Sequence, residues 1–472
     1  MKYISIWEPY GKKDNKTTHQ NQNITTDILI IGGGITGITT AYFLKDKHKQ
    51  ITLIDKSILS KGVTANTTAK ITYLEQDIYR KLTKMHNPDI AKKYYEAKKE
   101  AIWLMLKIIK NHNIACDLEK VSSILFTNED KNIKKIEQEK LILASYGEKV
   151  KDYHDKYVKY GFSVSNTYTF NPLKYLNALV KIITPFVNIY ENTMATNIKK
   201  EADTYIVTTN NGYIKAQTII LACHYPFFII PFFFPIKTYI EREYVCAAKV
   251  TQPKKITKIN IDNHLYSLRY YQNYLIYGTN AHKLTSNINY APNYDKTIEE
   301  FRTKFKLKPE YIWMNQDIIS HDKLPFIGCI KDNLFISSAY NTWGMTGGTI
   351  GAKIIADLID HKDNAYIKLF NPKRLNIPLI VNSFIGLFHY LKAYIQAIFQ
   401  KNNPKYIKIK GITYGIYKDK NGIEHKIKLL CPHMKCPLVF NQKEHTWDCP
   451  CHGSRFNLDG QIIETPAKKS IE

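Results

Sequence analysis

Apolar residues recur along this chain with changing period, and each change of period marks an element. From Asp27 it reads DILIIGGGITGITTAYFLKD: an unbroken apolar run, three glycines, then apolar residues returning on one helical face. That order predicts a buried strand, a tight turn and a helix. A second run, QITLID, predicts a strand ending at Asp55. The segment NPDIAKKYYEAKKEAIWLMLKIIKNH has helical apolar spacing, with Asn87 as N-cap and Pro88 at the first helical position. Residues 266–283, YSLRYYQNYLIYGTNAHK, predict a hairpin, and residues 321–359 a loop, a strand, a glycine-rich turn and a helix. The apolar stretch 226–250 is short and broken by proline, so it predicts a loop followed by a strand rather than a membrane span. Residues 376–406 are apolar except for a narrow stripe of Asn382, His389 and Gln396, with Lys392 near the same face. They predict an amphipathic helix. Packing against the preceding domain is the first expectation for it, and lying on a membrane surface the second. Spanning comes last, because the polar stripe would face lipid.

With 472 residues the chain exceeds one ordinary core, so two domains with an inserted subdomain are expected. Its 44% hydrophobic and 12% aromatic residues exclude general disorder. The net charge of +25 comes from lysines spread along the sequence without a block of like charge, and no nucleic-acid module accompanies it. Nucleic-acid binding is therefore not expected. A basic surface would instead steer an acidic protein partner, an anionic substrate or an anionic membrane face. The N-terminus MKYISIWEPYGKKDNK has no secretory pattern, which predicts a cytoplasmic protein, with peripheral contact at the inner face of the membrane as a variant of that expectation. Cys116, Cys223, Cys246 and Cys329 are scattered and read as buried thiols. The other half of the eight cysteines crowd into the last forty or so residues.

Gly32, Gly34 and Gly37 form G-x-G-x-x-G between the first strand and its helix. The first permits the tight turn, the second lets backbone approach a pyrophosphate, and the third lets helix and strand pack closely. The helix start, at Ile35 and Thr36, offers free N–H groups to phosphates, and Asp55 is placed to accept from ribose hydroxyls. Together with KGVTANTTAKIT (61–72) and the 321–359 segment, this order resembles the FAD-dependent oxidoreductases of the D-amino-acid-oxidase and glycine-oxidase type. The resemblance covers roughly residues 25–365. It implies FAD as cofactor, Thr67 and Thr68 near the flavin or its phosphates, and Gly344, Met345, Thr346 and Gly347 at the isoalloxazine edge. It also implies Ala195 backbone near adenine and residues 213–226 as the strand closing the nucleotide domain. In such oxidases an arginine shortly before D-x-x-P-x-I-G pairs with a substrate carboxylate, whereas this chain has Asp317 at about that place. Amino-acid oxidation is thereby put in question. His224, Tyr244 and Arg269 are the candidate catalytic side chains, none singled out by a motif.

Cys431-Pro-His433 and Cys449-Pro-Cys-His452 give one Cys and one His to each of two boxes. Zinc, a [2Fe-2S] cluster, a disulfide pair and coincidence compete for this pattern. The run CPCHGSRFNLDG with the trailing ETPAKK resembles Rieske proteins of the cytochrome bc type over residues 405–472. That resemblance implies a [2Fe-2S] cluster held by Cys431, His433, Cys449 and His452, and a disulfide between Cys436 and Cys451. Ser454 stands where family members donate a hydroxyl to cluster sulfur. Phe456 replaces a frequent tyrosine, and Lys435 a usual glycine.

The expected fold class is an α/β FAD-binding domain, Rossmann-type and glutathione-reductase-like, with an inserted α+β substrate subdomain and a small all-β Rieske domain. The expected divisions are an extension (1–24), the FAD domain (25–365, with insertions at roughly 75–180 and 226–320), a helical linker (366–404) and the Rieske domain (405–472). The expected activity couples two-electron substrate chemistry at the flavin to one-electron transfer through the cluster and on to a redox partner protein. The alternatives are a non-catalytic electron carrier or redox sensor, and an oxidase that uses O2 beside a structural Rieske domain.

Overall fold

The computed structural model describes residues 1–11, 23–47, 49–227, 234–286, 288–399 and 404–471. The first apolar run is strand Ile24–Ile31, whose Ile28, Leu29 and Ile30 are wholly buried. Burial on both faces explains the unbroken apolar run: Ile28 and Ile30 pack under helices, while Leu29 and Ile31 pack with Ala195, Tyr205 and Val207 of the antiparallel strands Ala195–Glu201 and Thr204–Thr209. Its neighbours are the parallel strands Gly212–Leu221 and Ile51–Ile54. Leu334–Ser338 and Val187–Tyr190 continue the sheet outward, and Phe326–Lys331 closes one edge antiparallel. Helices Ile35–Leu44 and Gly344–Ile359 pack against each other on this sheet, so the 344–359 segment returns to the first glycine turn. Helix Pro88–Asn111 begins as its sequence predicts, with Asn87 Oδ1 accepting from the Ile90 N–H at 2.9 Å.

A second, nine-stranded sheet is built from residues 70–169 and 238–320 and contains the predicted hairpin, Tyr266–Tyr271 with Tyr274–Lys283. The front part of the 226–250 stretch, residues 228–233, lies outside the described residues; its later part is strand Thr238–Lys249. That strand pairs antiparallel with Tyr311–Ser320 in a register that sets Glu241 opposite Asp317, Arg242 opposite Gln316, and Glu243 opposite Asn315. Side chains alternate faces along a strand. Glu241, Glu243, Asn315 and Asp317 therefore share one face, and Arg242 and Gln316 the other.

The C-terminal residues fold into a three-stranded sheet (Lys405–Ile409, Ile412–Lys418, Glu424–Lys428) and a four-stranded one (Val439–Asn441, Thr446–Asp448, Arg455–Phe456, Ile462–Glu464). Trp447 fills their core, and Gly415 makes room for it: a Cβ there would fall 2.3 Å from the indole. The linker is helix Ile377–Phe399. It packs on the preceding domain as expected, but its small and polar side faces inward. Leu379, Ser383, Gly386, Ala393 and Ala397 are buried, Asn382 Nδ2 donates to the His321 carbonyl at 3.2 Å, and most of the other large apolar side chains point out.

The loop Asn66–Ala69 is held by its carbonyls. Trp313 Nε1 donates to Asn66 O at 2.9 Å, Trp7 Nε1 to Thr67 O at 2.7 Å, and Arg269 Nη1 to Thr68 O at 2.9 Å and to Ala69 O. Trp7, in the N-terminal extension, and Arg269 are both buried. Arg269→Met should leave the Thr68, Ala69 and Phe170 carbonyls without their donor and cost about 3 kcal/mol, read as a melting temperature lowered by several degrees. Arg269→Lys should recover part of the loss. Unchanged melting in Arg269→Met would contradict the bracing role.

Candidate functional site

The first glycine turn forms the floor of a 560 Å³ cavity at the C-terminal edge of the parallel sheet. Gly32 has φ +115°, and a Cβ on it would lie 2.7 Å from the Ala222 carbonyl, so only glycine fits between the two strands. At Gly37 a Cβ would fall 1.8 Å from Gly32 O, which is how closely the helix presses on the turn. Asp55 Oδ2 accepts from Gly33 N at 2.7 Å and Oδ1 from Ser57 N at 2.8 Å, so the carboxylate organises the turn from the cavity wall. Burial raises its pKa, against the opposing pull of those N–H groups. A glycine cradle, a helix start and an acid on the cavity wall are features that fit a dinucleotide.

A second cavity of 260 Å³ adjoins the first and shares Asn66, Thr67, Asn315, Asp317, Gly344 and Met345 with it. Its wall is the acidic face of the paired strands, Glu241, Glu243 and Asp317, opposite Lys70 and Lys323. Burial pushes Glu243 up and Lys70 down, each opposed by the other's charge. Asp317 rises to about 8 through burial, with Glu243 and Glu241 adding to the shift. Asn315 Nδ2 donates to Asp317 Oδ2 at 2.7 Å, while Asn315 Oδ1 is buried without a partner.

On the other face of the same ladder sit the cysteine and histidine boxes. Arg242 Nη1 pairs with Asp448 Oδ2 at 2.8 Å, both wholly buried, and Arg242 Nε donates to Gln316 Oε1 at 3.0 Å. Gln316 Nε2 donates to Gly453 O at 3.0 Å, immediately after the second box. Lys56, next to Asp55, donates to Ile463 O, so Arg455 and residues 461–465 complete the wall of the large cavity. Within the boxes, Cys431 and Cys449 are both buried, and the neighbouring Cys449 and Ser454 side chains lower the Cys431 pKa. The His433 and His452 rings lie 5.0 Å apart at 89°. Both His433 nitrogens and His452 Nδ1 are buried without partners, and burial lowers the two imidazoles to about 4 and about 3. Two buried thiols and two neutral imidazoles, three of whose four ring nitrogens have no partner, are the donor set of a [2Fe-2S] centre with mixed ligands. Cys436 and Cys451 form the disulfide that joins the boxes. Lys435 adopts φ +57°, the left-handed turn that glycine would take more cheaply.

Gly32, Gly34, Ile35, Thr36, Asp55, Thr67, Ala195, Gly344 and Met345 line the large cavity; Thr68 lines only the small one. Gly37 packs beneath the turn, Gly347 packs on Tyr340, and Thr346 Oγ1 accepts from Lys98 at 3.3 Å. Of the three catalytic candidates only His224 faces the large cavity, with Nε2 unpartnered. Arg269 braces the 66–69 loop. Tyr244 shares the face of Arg242, stacked on His282 at 5.8 Å, because it is two residues from Arg242 on one strand. Sequence reasoning missed Gly33, Lys56, Thr64 and Tyr340. The alternating charges of IEREY were a signal for the two-faced strand.

The FAD dependent oxidoreductase family matches residues 27–358, and the Rieske [2Fe-2S] domain matches residues 390–472. The Rieske 2Fe-2S iron-sulfur protein YhfW of Bacillus subtilis is 31% identical over 473 residues, covering 94% of this chain and 92% of its own. Glycine oxidase of Geobacillus kaustophilus superposes with a TM-score of 0.61 at 13% identity, covering 75% of this chain and 100% of that one. L-Proline dehydrogenase of P. horikoshii gives 0.63 at 16%, covering 75% and 98%. At such identities the two structures share the fold.

The raised pKa of Asp317 makes stability depend on pH. Between the unfolded value near 4 and the folded value of about 8 the folded chain holds a proton that the unfolded chain has released, so stability is lost as pH rises through this window. Asp317→Asn should melt progressively higher than the parent as pH is raised from about 5 to about 8. Parallel melting curves would contradict the assignment.

Proposed function

The chain belongs to the FAD-dependent oxidoreductase family and carries a C-terminal Rieske [2Fe-2S] domain, and from this premise we propose that it oxidises a small polar molecule at FAD and passes the electrons singly through the cluster to a partner protein. When bound, FAD accepts two electrons as a hydride, whereas a [2Fe-2S] cluster carries one at a time. The observation that carries the proposal is the shared ladder, whose one face lines the small cavity while the other binds the cluster loops.

Each part of the chain has a task in this reading. Gly32, Gly34 and the start of helix Ile35–Leu44 hold the dinucleotide, and the braced 66–69 loop fixes the wall between the cavities. Cys431, His433, Cys449 and His452 would hold the cluster. Tyr225 and Tyr390 lie against the His433 and His452 rings at 6.5 Å and 4.9 Å and exclude water from them. The charged 260 Å³ cavity supports turnover of a small molecule rather than a sealed electron carrier. Glu241, Glu243 and Asp317 all have raised pKa values, so the wall presents carboxyl groups that hold protons where an arginine would pair with a substrate carboxylate, and it favours a polar molecule without one.

Arg242→Met tests the coupling. It breaks a buried pair while Asp448 keeps its contact with Arg455, at a docking cost of about 3–5 kcal/mol. With flavin and cluster contents unchanged, the anaerobic rate of cluster reduction after flavin reduction should fall about 100-fold, the scale set by misplacing a reacting group. An unchanged rate would separate electron transfer from this docking. A wild-type cluster that never follows the flavin would make the Rieske domain structural.

A further inference from the structure

Helix Ile377–Phe399 presents its large apolar side chains to solvent. Ile377, Phe384, Phe388 and Phe399 are 78%, 65%, 73% and 75% exposed, and Val381, Leu391 and Ile395 are exposed among them. The cause is on the opposite face. Gly386 sits so close to His321 that a Cβ would lie 2.7 Å from Nε2, and Ser383, Ala393 and Ala397 are the other small residues that let the helix seat closely. Tyr390 anchors this inner side, donating to Thr238 O at 2.7 Å. An apolar face of this length on a soluble surface marks an interaction site.

The charge around the helix indicates what covers it. Residues 364–418 contain nine Lys or Arg and no Asp or Glu. Lys373, Lys392, Lys405, Lys408 and Lys410 are exposed. A second copy of the chain would bring the same unneutralised cations, out of a net charge of +25, against each other. An anionic lipid surface complements both the apolar face and its basic surroundings. No described helix is long and apolar enough to cross a membrane, and the inner stripe is already engaged by protein. We propose that helix Ile377–Phe399 lies in the plane of an anionic bilayer, its outer apolar face buried at the headgroup boundary and its inner face against the cluster-bearing domain. Since Tyr390 touches the His452 ring, this posture sets that ring about one helix diameter, roughly 10 Å, from the lipid.

Flotation of the FAD- and cluster-loaded full chain with vesicles tests this. The chain should float with phosphatidylglycerol–phosphatidylethanolamine vesicles and far less with phosphatidylcholine, and salt should weaken the association. The double variant Phe384→Ser, Phe388→Ser should lose at least about tenfold in partitioning, since each buried phenyl contributes more than the free energy of one tenfold step, while its flavin and cluster absorbance stay at the parent level. Equal flotation of parent and variant would overturn the proposal, as would a parent that ignores both vesicle types. A concentration-dependent dimer that the same two substitutions dissolve would assign the face to a second copy and overturn it as well.

Discussion

The period-two geometry of one antiparallel strand pair governs the relation between the two halves of this protein. Residues of Thr238–Lys249 and Tyr311–Ser320 that face the small cavity are interleaved with those that grip the cluster loops, so neither set can shift without moving the other. A one-residue slip would put Arg242 into the cavity and Glu241 against Asp448. The grip itself is ionic and fully desolvated, which is costly unless every charge is answered. Asp448 is answered by Arg242, by Arg455 and by the Thr446 hydroxyl, and Arg455 reaches on to Glu444 and Glu464. This network gives the docked arrangement a defined register that apolar packing alone would leave loose.

The same economy of position appears at the flavin side. Asp55 ties down Gly33 while the adjacent Lys56 reaches the Ile463 carbonyl, so the end of one short strand serves both the dinucleotide turn and the domain contact. The linker helix has a comparable double role, with Tyr390 on the His452 ring on one side and a bare apolar surface on the other. The cluster's imidazole edge is thus enclosed by the flavin domain and the helix together.

Local signals were legible in the sequence and long-range ones were not. The glycine fingerprint, the Asn87 cap, the hairpin and the cysteine–histidine boxes each depend on residues close in sequence, and the structure contains each of them. The Trp7, Arg269 and Trp313 brace joins residues 60 to 247 positions from the loop they hold, and no local pattern announces such a contact. The linker is a different case: the sequence predicts its helix and its packing on the flavin domain but leaves the inward side open. Its polar stripe is visible in the sequence, but which side faces protein depends on His321 and on the small residues opposite, which lie outside any local pattern. Asp317 stands out in the sequence as a departure, while its place opposite Glu241 follows only from strand register.

The cluster loops sit against the flavin cavity within one molecule, and the magnetic interaction between the two centres tests this most directly. With flavin and cluster each reduced by one electron in the frozen full-length protein, the account predicts a dipolar interaction between their spins that dilution does not weaken. Spectra that are the simple sum of two isolated centres would contradict it.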